Sequence, residues 1–373
     1  MIGFLVLVCV LVLVLINVPI AVALCIASVV AMLATQGVAS LPNVPIALYQ
    51  GATSFPLIAI PLFILAAAIM NTSGISHRLI DFCQALVGWM RGALAQVNVL
   101  SHMFFAEISG SAVAGVAATA SIIMPAMKKR GYPGPFTAAV TSSTATLAII
   151  IPPSIPMILY AVMAGTSVVQ MFVAGIVPGL LCGLGFMGLC YWYAGRYNWP
   201  VGEIFQGGKL WGAFKHAFWA LTLPIIILGG IFGGIVTATE GAALAVVASL
   251  LVGGFAYREL NWKLLREAII EGTVQTGAVM LLVASSALLG LYLTEVQLPQ
   301  RIAEAMISIT NEKWAILAIL NIFFLIIGMF LHSAAAIVLV VPIVMPAVTA
   351  AGIDPIHFGV IVTLNLAIGQ QTP

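Results

Sequence analysis

The feature that most constrains this chain is the recurrence of long uncharged apolar runs, the first of which begins "IGFLVLVCVLVLVLINVPIAVALCIASVVAMLA" at Ile2. A helix needs about 20 predominantly apolar residues to cross the hydrocarbon core of a bilayer. Lipid accepts only segments that close their own backbone hydrogen bonds. Of the 373 residues, 62% are hydrophobic and 6% are charged, against about a quarter charged in a soluble domain. The chain therefore reads as an all-α integral membrane protein. The first run has no basic n-region and no evident cleavage site, so it is expected to stay in the mature fold.

Several function classes drop out at this stage. The sequence has no GxxxxGK[ST], HExxH or GxSxG, so neither phosphate-cradling, zinc-protease nor serine-hydrolase chemistry is indicated. An enzyme is not expected, and no cofactor is called for. Five dispersed histidines and five cysteines without CxxC spacing suggest no metal cluster, and the cysteines read as small buried hydrophobes. A nucleic-acid partner is not expected.

The chain aligns with itself. "MPAMKKRGYPGPFTAAVTSSTATLAIIIPP" from Met124 matches "MPAVTAAGIDPIHFGVIVTLNLAIGQQTP" from Met345 without gaps at an offset of 221. This register pairs Pro125 with Pro346, Gly131 with Gly352 and Pro152 with Pro373, and also Gly51 with Gly272 and Ser28 with Ser249. Two copies of one unit are expected, residues 1–196 and 197–373. The first holds a re-entrant hairpin at about 94–127 and a broken helix at about 134–164. The second holds a hairpin at about 314–347 and a broken helix from about 356. Copy one continues past Pro152 through a further apolar span, so a comparable continuation is expected after Pro373.

Remaining spans are read near 2–16, 17–35, 46–71 and 168–195, then 217–234, 236–257 and 272–294, giving about five per copy. Eleven of the thirteen Lys and Arg then fall on one side, the exceptions being Arg301 and Lys313. By the positive-inside rule that side is cytoplasmic and the N terminus lies outside. "MKKRG" after the first hairpin faces in while its partner "VTAAGID" carries no cation, so the copies are inverted. Inverted repeats interrupted at matching positions are the pattern of secondary transporters.

The interruptions carry the chemistry. Ser109, Gly110 and Ser111 form the tip of the first hairpin. Pro152 and Pro153 break the following helix, with Ser142, Ser143, Thr144 and Ser154 beside the break. Freed carbonyls and hydroxyls are hard oxygen ligands for an alkali cation, and helix N-termini suit a carboxylate. Packing alone also accounts for any single hydroxyl, because Ser and Thr in membrane helices bond back to the preceding turn.

"ISGSAVAGVAATASIIMPAMKKRGY", "IIPPSIPMILY" and "GIDPIHFGVIVTLNLAIGQQTP" resemble the large membrane subunit of tripartite ATP-independent periplasmic (TRAP) transporters, within the ion transporter superfamily. The resemblance covers nearly the whole chain. It implies an elevator-type, sodium-coupled importer of organic acids in the bacterial inner membrane, with two partners, a small four-helix membrane subunit and a periplasmic substrate-binding protein. It places one sodium site at Ser109, Gly110, Ser111, Ser143, Thr144 and Pro152. A second falls at Leu331, His332, Ser333, Asn365 and Thr372, and substrate contacts at Ser111, Ser154 and Asn365. At His332 the family commonly has an aspartate, which a neutral imidazole does not replace in charge. Glu107 is also unusual, either paired within a polar tip or protonated against lipid, or engaged in coupling. A stand-alone sodium/carboxylate symporter without a binding protein is the alternative. Nothing in the chain distinguishes dicarboxylates from sialic acid or other acids.

Overall fold

A computed structural model describes the chain apart from residues 1, 110, 111, 200, 203, 311, 372 and 373, and without the side chains of 2, 107–109, 113, 114, 117, 118, 307 and 309. The described residues form helices and one isolated β-bridge, Arg91 to Val201. The helices are α1 (Ile2–Leu15), α2 (Ile20–Gln36), α3 (Asn43–Ala52), α4 (Ala59–Thr72), α5 (Ile75–Val87), α6 (Ala93–Ser109), α7 (Ala112–Lys129), α8 (Gly134–Ala145), α9 (Leu147–Ile150) and α10 (Ile155–Ala164). There follow α11 (Val168–Arg196), α12 (Gly207–Phe232), α13 (Ala238–Leu251), α14 (Trp262–Glu295), α15 (Leu298–Ile309), α16 (Lys313–Phe330), α17 (Ser333–Ala350) and α18 (Pro355–Gly369). Among the described residues seven helical segments are long and apolar enough to cross a membrane, or eight if the bent pair 134–150 and 155–164 counts as one span.

The helix boundaries repeat at the offset seen in the sequence. Shifted by 221, α7 falls on 333–350, the bounds of α17, and α8 begins at 355, as α18 does. Two compact units appear: residues 1–58, 158–167 and 274–373, and residues 59–157 and 168–273. Each therefore takes elements from both sequence halves. In the second unit α4 packs on α13, α5 on α12, and Gly272 of α14 on the Leu65 backbone. Reciprocal contacts occur inside the first unit. Cys25 of α2 donates to Ser285 of α14, Gly3 of α1 meets Leu298 of α15, and Gly51 of α3 leaves room for Ala287. The first helices of each half thus pack on the later helices of the other.

Three details differ from the apolar-run reading. The expected span 46–71 is two helices, α3 and α4, separated by residues 53–58, part of which is a short 3-10 turn. The expected span 272–294 is the second part of the 34-residue α14, because Lys263, Arg266, Glu267 and Glu271 precede the apolar stretch without interrupting its helix. Finally, α5 and α15 are amphipathic. In α5, Ile75, Leu79, Ile80, Cys83 and Val87 are buried while His77, Asp81 and Gln84 are exposed. In α15, Gln300, Arg301 and Glu304 are exposed. A short helix with one apolar stripe and one charged face suits a membrane interface.

Candidate functional site

The first hairpin is α6, which ends at Ser109, and α7, which begins at Ala112. Gly110 and Ser111 lie outside the described residues, as do the side chains of Ser109 and Glu107. The arms run antiparallel and close on one another through a bond between His102 Nε2 and Thr119 Oγ1 at 2.9 Å. These two residues are equidistant from the break. Both arms pack on α8 and α9. Near the tip, Ala106 joins Leu147, Ala148 and Ile151 in a buried apolar cluster.

At Pro152 and Pro153 the helix loses two N–H donors, and the segments on either side meet at 41°. Ser154 bridges the gap: its hydroxyl donates to Ile149 O at 2.6 Å and accepts from Met157 N at 3.4 Å. The break is pressed closely by α11. A methyl at Gly175 would stand 2.5 Å from Ile150 O, one at Gly179 2.6 Å from Ile151 Cγ1, and one at Gly183 2.6 Å from Met103 Sδ. The spacing GxxxGxxxG is that of helices whose backbones approach in a membrane.

Thr144 is fully buried. Its hydroxyl donates to Val140 O at 2.6 Å and lies 3.1 Å from His102 Nδ1. Three residues earlier, Thr141 donates to Thr137 O and accepts from Asn98 Nδ2 at 2.7 Å. Ser143 is half-buried, and its carbonyl accepts from Thr146 Oγ1. Asn98, His102, Thr119 and Thr141 were not singled out from the sequence. The signal was present as Asn98/His102 at i, i+4 on α6 facing Thr137/Thr141/Thr144 at i, i+4, i+7 on α8.

The second hairpin is α16 and α17, and its break falls on Leu331 and His332, both with extended ψ (138° and 144°). His332 is the N-cap of α17, with Nδ1 accepting from Ala334 N at 3.4 Å. Buried Ser333 accepts from Gln370 Nε2 at the end of α18. Asn365 Nδ2 donates to Asn321 Oδ1 of α16. The helices come closest where Gly328 faces Gly369: a methyl on Gly369 would stand 2.8 Å from Gly328 Cα. Thr372 lies outside the described residues. Asn321 and Gln370 are additions to the residues expected here. The offset of 221 maps Thr144 onto Asn365, and each bonds to the first arm of the hairpin it packs on.

The family described as "Tripartite ATP-independent periplasmic transporter, DctM component" matches residues 7–373. An isethionate TRAP transporter permease protein of Oleidesulfovibrio alaskensis is 42% identical over 86% of this chain and 51% of its own length. The chain thus spans about half of that relative. A C4-dicarboxylate TRAP large permease of Pseudomonas aeruginosa is 40% identical over 90% of this chain and 78% of its own. A sialic acid TRAP large permease of Vibrio cholerae is 34% identical over 87% and 76%. Among solved structures, the Alcanivorax borkumensis YdaH transporter superposes with a TM-score of 0.58 at 15% identity, covering 90% of this chain and 77% of that one, a likeness of fold. The chain belongs to the DctM family, the large permease component of TRAP transporters, and is a multi-pass membrane transport protein of the bacterial inner membrane, not an enzyme.

Proposed function

We propose that this chain is the translocating subunit of a sodium-coupled importer that moves an organic acid anion by an elevator-type motion of two inverted repeats. It works with a small four-helix membrane subunit and with a periplasmic protein that captures the substrate. The observation that carries this reading is the pairing, in each sequence half, of two consecutive helices with a later helix whose polar side chain bonds to the first of them. Non-helical backbone at membrane depth is stable only where protein or a water-filled cavity receives its polar groups. Such backbone at Leu331 and His332, and at the Pro152 break in the first half, supports a role in binding.

The ligand types fit the chemistry. Sodium takes hard oxygens such as carbonyls and hydroxyls. Around the first hairpin these are the tip residues 109–111, Ser143, Thr144 and the break at Pro152. Around the second they are Leu331, Ser333, Asn365 and Thr372, with His332 beside them. An organic anion finds hydroxyl and amide donors at Ser111, Ser154 and Asn365, and helix N-termini after each tip. Isethionate, C4-dicarboxylates and sialic acid, named for the relatives, share only a charged oxyanion. This supports an acid substrate and leaves its identity to experiment.

Reconstitution tests the whole reading. Proteoliposomes holding this chain with its small subunit are assayed with C4-dicarboxylate, sialate and isethionate, with and without a sodium gradient and a cognate binding protein. Uptake of one acid is expected only with both. Uptake that persists after the sodium gradient is collapsed would refute the coupling, and uptake without the binding protein would favour the stand-alone symporter.

A further inference from the structure

His102 lies fully buried where α6, α7 and α8 meet, and no ion or substrate role falls on it so far. Its hydrogen bonds fix its tautomer. Asn98 O, 2.9 Å from Nδ1, is a carbonyl and can only accept, so Nδ1 carries the proton. Thr144 Oγ1 is 3.1 Å from the same nitrogen and gives its own hydrogen to Val140 O. It therefore accepts a share of the Nδ1 proton. Nε2 is then an acceptor, and the Thr119 hydroxyl, 2.9 Å from both Nε2 and Gly115 O, shares its one hydrogen between them.

The consequence falls on Thr144. A hydroxyl has one hydrogen and two lone pairs. Here the hydrogen is held by Val140 O and one lone pair by His102. One lone pair remains, and its direction is set. A coordinated cation needs such an oriented oxygen, because a ligand held by its neighbours loses little freedom on binding.

We infer that His102 is the positioning residue of the first ion site: it touches no ion itself but aims the Thr144 hydroxyl, and in this way sets the affinity for the coupling ion. The inference rests on the proposed assignment of Thr144 as an ion ligand. The ring also ties both hairpin arms to α8. Copy two places Phe323 and Val340 at the equivalent positions, so this device belongs to the first site alone.

Geometry supplies the test. The amide nitrogen of asparagine is two bonds from Cβ, as Nδ1 is, whereas that of glutamine is three bonds away, as Nε2 is. His102→Asn therefore retains a donor for Thr144 and His102→Gln does not, while both stay polar and similar in size. The sodium half-saturation of uptake, measured at saturating substrate, is expected to stay within twofold in His102→Asn. It is expected to rise about fivefold in His102→Gln, the factor that about 1 kcal/mol of lost hydrogen bonding gives. Substrate KM at saturating sodium should not change in either. In a Thr144→Ala background, His102→Gln should add nothing further, since a residue acting through another shows complete coupling in a double-mutant cycle.

Equal effects of His102→Asn and His102→Gln, or an additive effect in the Thr144→Ala background, would overturn the positioning role while leaving the sodium site standing. An unchanged half-saturation in Thr144→Ala alone would overturn the site assignment and the inference with it.

Discussion

The closest helix approach at the second hairpin gives a sharp mechanical prediction. Gly369, the last residue of α18, faces Gly328 of α16, and a methyl on Gly369 would lie 2.8 Å from Gly328 Cα, 2.9 Å from Gly328 C and 2.9 Å from Leu325 O. Ordinary contact starts at 3.4 Å, so in Gly369→Ala the helices must part by about 0.6 Å. The obstructing atoms are all backbone, which no rotamer change can relieve. Overpacking of this kind costs about 1–3 kcal/mol, offset by up to about 1 kcal/mol from the better helix propensity of alanine, leaving about 1–2 kcal/mol of destabilisation. Gly277→Ala is the internal control, because nothing stands within 4 Å of the added methyl in α14. There only the propensity gain remains. The assay is the melting temperature of the purified protein in detergent together with the sodium half-saturation of reconstituted uptake. Gly369→Ala should melt about 2–4 °C below wild type and require more sodium, since the same displacement pulls Gln370 from Ser333 at the hairpin tip. Gly277→Ala should melt at or above wild type with unchanged sodium dependence. A Gly369→Ala protein that melts with the wild type would show that the close approach does not exist.

Three further outcomes follow from named residues. Ser111→Ala should weaken sodium dependence, because a lost hard-oxygen ligand leaves a gap that apolar neighbours cannot fill; an unchanged sodium half-saturation would return Ser111 to a packing role. His332→Ala should cost about 1 kcal/mol through loss of the α17 cap, whereas His332→Asp, which keeps a capping acceptor and adds a charge, should bind sodium more tightly than wild type; equal sodium affinity in wild type and both variants would remove His332 from the ion site. On the membrane-flanking segments, Arg78 Nη2 donates to Glu259 at 2.5 Å and its guanidinium sits 4.0 Å from the Tyr257 ring, and that hydrogen bond holds the Glu259 carboxyl below the usual carboxylate range. A depressed carboxylate stabilises the fold above its unfolded value of about 4.3 and stops doing so as pH falls through its folded value. The pair is largely exposed and worth no more than about 1 kcal/mol, so Glu259→Gln should melt slightly below wild type at pH 7 and level with it once pH has fallen through the carboxyl's lowered folded value, as read from melting curves over the acidic range.

Much of the architecture was legible because membrane and repeat constraints act on sequence directly. Charge-free runs give most of the spans, and the offset of 221 gives the register that α7 and α17 keep to the residue. The break in the first half's later helix was legible too, since two consecutive prolines stop a helix wherever they stand. What escaped has a physical reason. Both α5 and α15 are too short and too charged to register as apolar runs, and they declare themselves only by one-sided periodicity. The rungs Asn98–Thr141 and His102–Thr144 join residues more than 40 apart in sequence, and the packing that brings them together is not written in either segment alone. The exchange of first helices between the two sequence halves was likewise invisible, because a repeat specifies similar units and says nothing of which copy each helix packs on.

The differences between the copies bear on how such a site works. Asn98, His102, Thr119 and Thr141 in the first become Ile319, Phe323, Val340 and Val362 in the second, while a polar residue at Thr144 or Asn365 recurs. Side-chain rungs can thus be exchanged for apolar packing between the copies. That is the pattern expected if the interruption itself supplies the main ligands, carbonyl oxygens from one helix end and N–H groups from the next, and side chains serve to aim or supplement them. On the proposed site assignment, the aim in the first copy comes from hydrogen bonds around an imidazole. In the second it is provided by steric closeness, Gly328 against Gly369, and by the amide pair Asn321 and Asn365. Ion affinity at the first site should then respond to polar substitutions that leave volume unchanged, and at the second to volume changes that leave polarity unchanged. In this scheme His102→Gln and Gly369→Ala are opposite probes of a single requirement, a fixed distance between a hairpin tip and a helix end.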